Sequence, residues 1–189
     1  ASKGEIKPMP DCAIFADTGY EPDGVYEHLD WLEKQLPFPT YRVAQGNIKD
    51  DIRNGAKNGK RFVAMPFFTK EGGMGMRQCT AEYKILPLRN KTRELLKIKP
   101  KQRAKGKISE QWMGISWDEM QRMKNSGLSY IYHRFPLIEK QMRRHHCVSW
   151  FEAHYPSRTL DKSACIACPF HHDELWREMK RNDPKSFND

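Results

Sequence analysis

Cys12-Ala13-Ile14-Phe15-Ala16-Asp17-Thr18-Gly19-Tyr20 is the stretch whose reading decides the fold. A short uncharged run breaks at once into a carboxylate, a hydroxyl and a glycine. That is the pattern of a buried parallel strand running into a loop at its carboxyl end. Ligands of open α/β sheets bind at such ends, so the loop is as informative as the strand. Outward from it, Pro22 stands where a first helical turn tolerates proline. Asp23 and Glu27 come early, and Val25, Leu29, Leu32 and Leu36 recur at spacings of four, three and four. The spacing predicts an amphipathic helix of about four turns. Pro37 and Pro39 end it before a second strand at Tyr41-Arg42-Val43. Strand, helix, strand is a right-handed crossover unit.

Further on, residues 47–61 are polar and glycine-containing, Phe62 to Phe68 is apolar, and Gly72-Gly73-Met74-Gly75-Met76 reads as a flexible loop. A helix is expected from about Thr80, a strand over Gln111–Ser116, and the acidic start of a helix at Asp118-Glu119. Tyr130-Ile131-Tyr132 suits another strand and Glu139–His154 a helix. A last helix carries Leu175, Trp176 and Met179 on one face. Lys97, Lys99, Lys101, Arg103, Lys105 and Lys107 alternate with uncharged residues, which reads as an exposed linker, with contact to phosphates as the competing reading.

A chain of 189 residues suits one domain, here 1–189. No stretch approaches the roughly 20 apolar residues of a membrane helix, and no charged-then-apolar leader opens it. A soluble, cytoplasmic protein is therefore expected. Five cysteines, only two of them close in sequence, make a poor disulfide framework and suit a reducing compartment. The balance of 33 Lys and Arg against 24 Asp and Glu gives +9, a field that favours nucleotides or nucleic acid; the bland alternative is a solvated basic surface.

Cys165-Ile166-Ala167-Cys168-Pro169-Phe170, within the 160–181 segment, carries the sharpest chemistry. Two cysteines at this spacing bring their sulfurs onto one ion when a tight turn lies between them, and the proline restricts the chain's exit. A zinc site or a cubane cluster commonly takes four ligands, so two more must come from elsewhere. Cys79 and Cys147 are the candidates. Cys12, among apolar strand neighbours, is a small hydrophobe. The competing readings are a redox dithiol or two unrelated core cysteines, and His171 or His172 could stand in as ligands. Asp17, Thr18 and Gly19 suit a ribose or adenine edge and close approach of a phosphate, although such residues also serve plain turn geometry. Arg77, Lys84 and Arg89 around a helix starting near Thr80 offer fixed cations and a positive dipole end to phosphate, or are simply solvated.

The ordered set Phe15 to Tyr20, Arg77-Gln78-Cys79-Thr80 with Lys84 and Pro87-Leu88, Trp112-Met113-Gly114-Ile115 with Asp118-Glu119, Phe135-Pro136-Leu137-Ile138, and Ser163 to Phe170 resembles the phosphoadenosine phosphosulfate reductase family. The likeness is to its phage-associated branch within the adenine nucleotide α-hydrolase-like superfamily and runs from about Asp11 to Lys180. The resemblance implies an α/β fold with a doubly wound, mostly parallel sheet flanked by helices, and a C-terminal cysteine-bearing helical segment. It implies an adenine nucleotide (ATP) or adenylyl sulfate as ligand, bound by Asp17, Thr18 and Gly19, with Gly114 and Ile115 lining the base pocket and Arg77 and Lys84 meeting phosphate or sulfate. It implies a 4Fe-4S iron–sulfur cluster, in preference to zinc, on Cys79, Cys147, Cys165 and Cys168, and sulfur or adenylyl transfer in the cytoplasm, that of the host if the chain is phage-encoded.

This chain departs from the family at three places. The superfamily's Ser-Gly-Gly-x-Asp-Ser pyrophosphate loop is absent, so the polypeptide is expected to be amino-terminally truncated. No Glu-Cys-Gly-x-His segment follows Cys168, so thiol attack on phosphoadenosine phosphosulfate is not expected. Gln78-Cys79 stands where the cluster-bearing reductases have adjacent cysteines. The alternative from another class is a zinc-stabilised nucleic-acid-binding module, on tRNA or DNA, without catalysis.

Overall fold

The computed structural model describes residues 4–55, 65–68, 70–75, 77–160 and 163–189. The elements in chain order are β1 (Ala13–Asp17), α1 (Asp23–Gln35), β2 (Thr40–Ala44), α2 (Ile48–Gly55), a π-helical turn (Thr80–Ile85) continuing into α3 (Leu86–Leu95), β3 (Ser109–Trp112), a 3-10 stretch (Trp117–Arg122), β4 (Ile131–Arg134), α4 (Pro136–Glu139), α5 (Arg144–His154), α6 (Asp173–Asn182) and α7 (Pro184–Asn188). The single domain expected from length contains two compact units. One comprises residues 10–91 and 163–189, the other residues 4–9 and 92–160. The protein is mixed α/β with short parallel strands. Among the described residues they form two sheets of two strands each, β1 with β2 and β3 with β4.

In the first unit the expected strand, helix and strand are all present. β1 pairs in parallel with β2 from Ala13 against Thr40 to Asp17 against Ala44. β1 is half-buried along its length, whereas its sequence suggested full burial, because a strand in a two-stranded sheet keeps an edge open. α1 follows Pro22, buries Val25 and Leu29, and ends where Leu36 turns extended before Pro37. Arg42 of β2 clips it from outside, its guanidinium meeting Glu33 at 2.7 Å and also Asp30. Residues 48–55, part of the stretch read only as polar, form α2. Asn47 caps it, its side-chain carbonyl accepting from the Lys49 and Asp50 amides at 3.0 and 3.2 Å.

The helix expected from Thr80 is present but opens with a π turn in which the Leu86 amide donates to the Ala81 carbonyl. Buried Pro87 accounts for it. A proline lacks the amide and crowds the carbonyl four residues back, so the ladder widens there. Tyr20, Ile48, Met65, Tyr83, Ile166 and Met179 form the core, with Cys79, Cys165 and Trp176 packed against it. The apolar expectation at Phe62, Val63 and Ala64, and Met76 of the glycine loop, lie outside the described residues.

In the second unit β3 pairs in parallel with β4, Ser109 against Ile131 through Trp112 against Arg134. β3 starts two residues earlier than expected and stops at Trp112. The helix expected over Glu139–His154 divides into α4 and α5, because Gln141 takes a left-handed φ of 51° between them. The run expected to be a linker is a pinned loop. The Arg93 guanidinium donates to the carbonyls of Lys99 and Gln102 at 2.7 and 3.0 Å, and the Lys107 ammonium to those of Leu96 and Lys97 at 2.8 and 3.2 Å. Ile98 is buried with Tyr130 and Ile131. Charge alternation along the sequence is silent about such backbone contacts. Among the described residues no helix is long and apolar enough to cross a membrane.

Candidate functional site

The loop after β1 is built by its own side chains. The Asp17 carboxylate turns back to accept from the Gly19 amide at 2.8 Å and from the Tyr26 hydroxyl at 2.9 Å. Gly19 has φ +69°, and a Cβ there would lie 2.8 Å from the Asn47 side-chain nitrogen. Its glycine is a steric requirement as well as a conformational one. Thr18 is buried: its carbonyl accepts from the Ile48 amide at 2.9 Å, which seats the start of α2 beside the loop.

Glu21 is the centre of the site and was not among the residues singled out from the sequence. Its side chain has no exposed surface. The carboxylate accepts from Thr18 Oγ1 at 3.3 Å, from Ser163 Oγ at 3.1 Å, and from the Lys84 ammonium at 3.3 Å. Cys165 Sγ donates to Thr18 Oγ1 at 3.3 Å, and the Ile166 amide donates to the Tyr20 carbonyl at 2.9 Å. The first loop, the helix carrying Lys84 and the cysteine segment thus converge on one buried carboxylate. An acidic residue between Tyr20 and Pro22 gives no local hint of burial, so only these distant donors identify it.

Burial pushes the Cys165 thiol above its ordinary pKa. The Thr18 hydroxyl pulls it back, Glu21 raises it, and Lys84 and then Cys168 act with smaller opposing effects. Tyr26 is pushed up to about 12, first by burial and then by its bond to Asp17. Because its folded value lies above the ordinary 10.0, its contribution to stability is fully present below pH 10 and is lost as pH rises towards 12. The loss of stability over that window, followed by urea unfolding, is expected to be shallower in Tyr26→Phe than in the parent.

Asp17, Thr18, Gly19, Lys84 and Cys165 are therefore brought together. Arg77 lies over the Phe170 ring at 4.8 Å, a cation–π contact to the end of the cysteine segment. The tight turn expected between the paired cysteines is present, the Cys168 amide donating to the Cys165 carbonyl at 3.0 Å. His172 caps α6, its Nδ1 accepting from the Leu175 amide at 3.1 Å, whereas His171 is buried with its ring 5.1 Å from that of Trp176. Gly114, Ile115 and Cys147 belong to the other unit. There Gly114 and Ile115 follow β3, and Cys147 lies in α5 with its thiol pushed up by burial and by Asp118.

A groove of about 570 Å³ adjoins the first loop, bordered by Gly19, Tyr20, Asn47, Lys49, Arg53 and Ile166 among others. Lys49 sits 5.5 Å from the Tyr20 ring centre, and both Lys49 and Arg53 pair with Asp189. A volume of this size accepts a small-molecule ligand.

Among the described residues no three His, Cys, Asp or Glu side chains are gathered as a metal ion requires. Cys165 directs its thiol at the Thr18 hydroxyl. No protein-family model, curated protein or solved structure matches the chain.

Proposed function

We propose that the chain binds an adenine nucleotide in the groove beside the loop after β1, in the manner of phosphoadenosine phosphosulfate reductase-like proteins, with β1, α1 and β2 as part of a doubly wound sheet. The observation that carries this reading is the convergence on Glu21. Three segments far apart in sequence, each singled out for nucleotide or sulfur chemistry, meet at the carboxyl end of one parallel strand. Tyr20 and Ile166 supply apolar surface, and Lys49 and Arg53 stand at the groove's edge, where each is paired with Asp189 and would exchange it for a phosphate. Lys84 neutralises Glu21 and holds the loop's shape, so it supports the ligand by positioning. The reaction class this suits is nucleotide-dependent activation of a substrate or transfer of sulfur. No step is routed through a metal or a cluster.

Calorimetric titration of the full chain with ATP, AMP and adenosine phosphosulfate tests the reading. Saturable binding is expected, weakened about tenfold by Arg53→Glu, the scale of one lost charge-assisted contact of about 1.4 kcal/mol. Absence of a saturable site for all three ligands would end it. Iron, zinc and acid-labile sulfide, measured on protein purified without oxygen, address the cofactor separately. Stoichiometric iron with matching sulfide would establish a cluster, and stoichiometric zinc without sulfide would exclude one.

A further inference from the structure

The groove beside the loop after β1 comes with its own anion. Lys49, Arg53 and Lys185 border it, and each faces a carboxylate that borders it too. Lys49 and Arg53 both pair with Asp189, Arg53 at 3.3 Å, while Lys185 pairs with Asp23 at 2.6 Å. The Arg53 guanidinium also donates to the main-chain oxygen of Asp189 at 3.5 Å. The Lys49 ammonium holds the Asp189 carboxyl below its ordinary range, and Arg53 adds to this, so Asp189 is an anion at neutral pH. Its carboxylate stands where two cations meet, which is the place that a phosphate of a bound ligand would take.

This carboxylate is carried by a short strap anchored at its base. The Asp183 side chain accepts from the Ser186 amide at 3.1 Å, and the Phe187 amide donates to the Asp183 carbonyl at 3.1 Å. Ser186 is buried, so the base of α7 is fixed against the unit. Beyond it, Asn188 and Asp189 run along the groove's rim. The Lys49 and Asp189 side chains are 25% and 27% exposed, and that of Arg53 is 57% exposed. Ion pairs that water reaches in this way are individually weak, so a more highly charged anion can replace the carboxylate. The cations stay in place when it leaves. Lys49 lies 5.5 Å from the ring centre of buried Tyr20, and Arg53 stands about one turn further along α2.

We infer that Asp189 is an internal stand-in for the ligand's phosphate, a brake that occupies Lys49 and Arg53 until an anion of higher charge displaces it. This rests on the nucleotide reading of the groove and adds the regulation of that site. A neutral nucleoside neither needs the cations nor displaces the carboxylate, so the brake acts on anionic ligands alone. With the strap seated about nine-tenths of the time, such a ligand binds about tenfold more weakly than it would to the open groove.

Calorimetric titration of the full chain with ATP, pyrophosphate and adenosine, in the parent and in Asp189→Asn, tests this. ATP and pyrophosphate should each bind about tenfold more tightly to the variant, and adenosine should be unaffected. Asp189→Glu, which keeps the charge, should stay within about threefold of the parent, because charge sets how often the strap is seated. In a Lys49→Met background the gain from Asp189→Asn should shrink to less than about threefold, since the carboxylate acts through the cation. A carboxylate that only supported the fold would weaken every ligand when replaced. ATP affinity in Asp189→Asn equal to or below that of the parent, or a gain for adenosine as large as that for ATP, would overturn the brake and leave the nucleotide reading standing. A gain for pyrophosphate with ATP bound no more tightly than pyrophosphate would keep the brake and overturn the adenine reading. No saturable binding of ATP or pyrophosphate to either protein would overturn both.

Discussion

Lys84→Ala should lower the free energy of unfolding by about 3–5 kcal/mol, the range for removing one partner of a buried ion pair. The two partners are unequal. The Glu21 side chain has no exposed surface, whereas that of Lys84 is 36% exposed. Without Lys84 the carboxylate keeps only the hydroxyls of Thr18 and Ser163, which carry no charge. Without Glu21, water still reaches the ammonium. Glu21→Gln should therefore cost less than Lys84→Ala, about 1–3 kcal/mol. The double variant should recover most of the Lys84→Ala loss, because an amide needs no counter-charge. Urea unfolding of the four proteins closes the cycle. Additive effects would mean that the pair does not act as a unit. A large loss would also mean that Lys84→Ala cannot serve as a test of nucleotide binding, since it would disturb the loop's frame and any ligand contact together.

The second large effect is expected at Gly19. Gly19→Ala places a Cβ at φ +69°, 2.8 and 2.9 Å from the Asn47 side chain and 3.2 Å from its Cα. The left-handed conformation costs about 1–2 kcal/mol for a residue with a side chain, and forced overpacking about 1–3 kcal/mol. Asn47 cannot swing aside without giving up its bonds to the Lys49 and Asp50 amides, which cap α2. A total loss of about 2–5 kcal/mol is expected, read by thermal or urea unfolding. A second readout separates this from general loosening. The amides of residues 48–51 should lose hydrogen-exchange protection before those of β1, because the clash falls on the cap and spares the strand. Full stability in Gly19→Ala would mean that the loop and α2 do not meet as described.

Much of the first unit was legible in the sequence. The apolar run ending in Asp17-Thr18-Gly19, the period of α1 and the prolines after it are local signals, and each survives in the structure within a residue or two. The tight turn between Cys165 and Cys168 was equally local. α2 was missed because residues 48–55 are mostly polar, and its cap at Asn47 precedes too short an apolar pattern to register. The split between α4 and α5 was missed because nothing in Lys140-Gln141-Met142 marks a left-handed turn in the way glycine would. The basic stretch was read as an exposed linker; its side chains are exposed, and the contacts that pin its backbone go to carbonyls, which sequence pattern does not display.

What the sequence determined by itself is a parallel strand opening into a polar loop, an amphipathic helix behind it, a turn-forming cysteine pair and a concentrated positive charge. All of these follow from contacts within a few residues or from composition. Only the tertiary structure decided what the loop and the cysteines face. Glu21 finds Lys84 at a separation of 63 residues and Ser163 at 142, and Cys165 finds Thr18 at 147. A buried carboxylate is tolerated only where such distant donors arrive together, and no periodicity along the chain encodes that arrival.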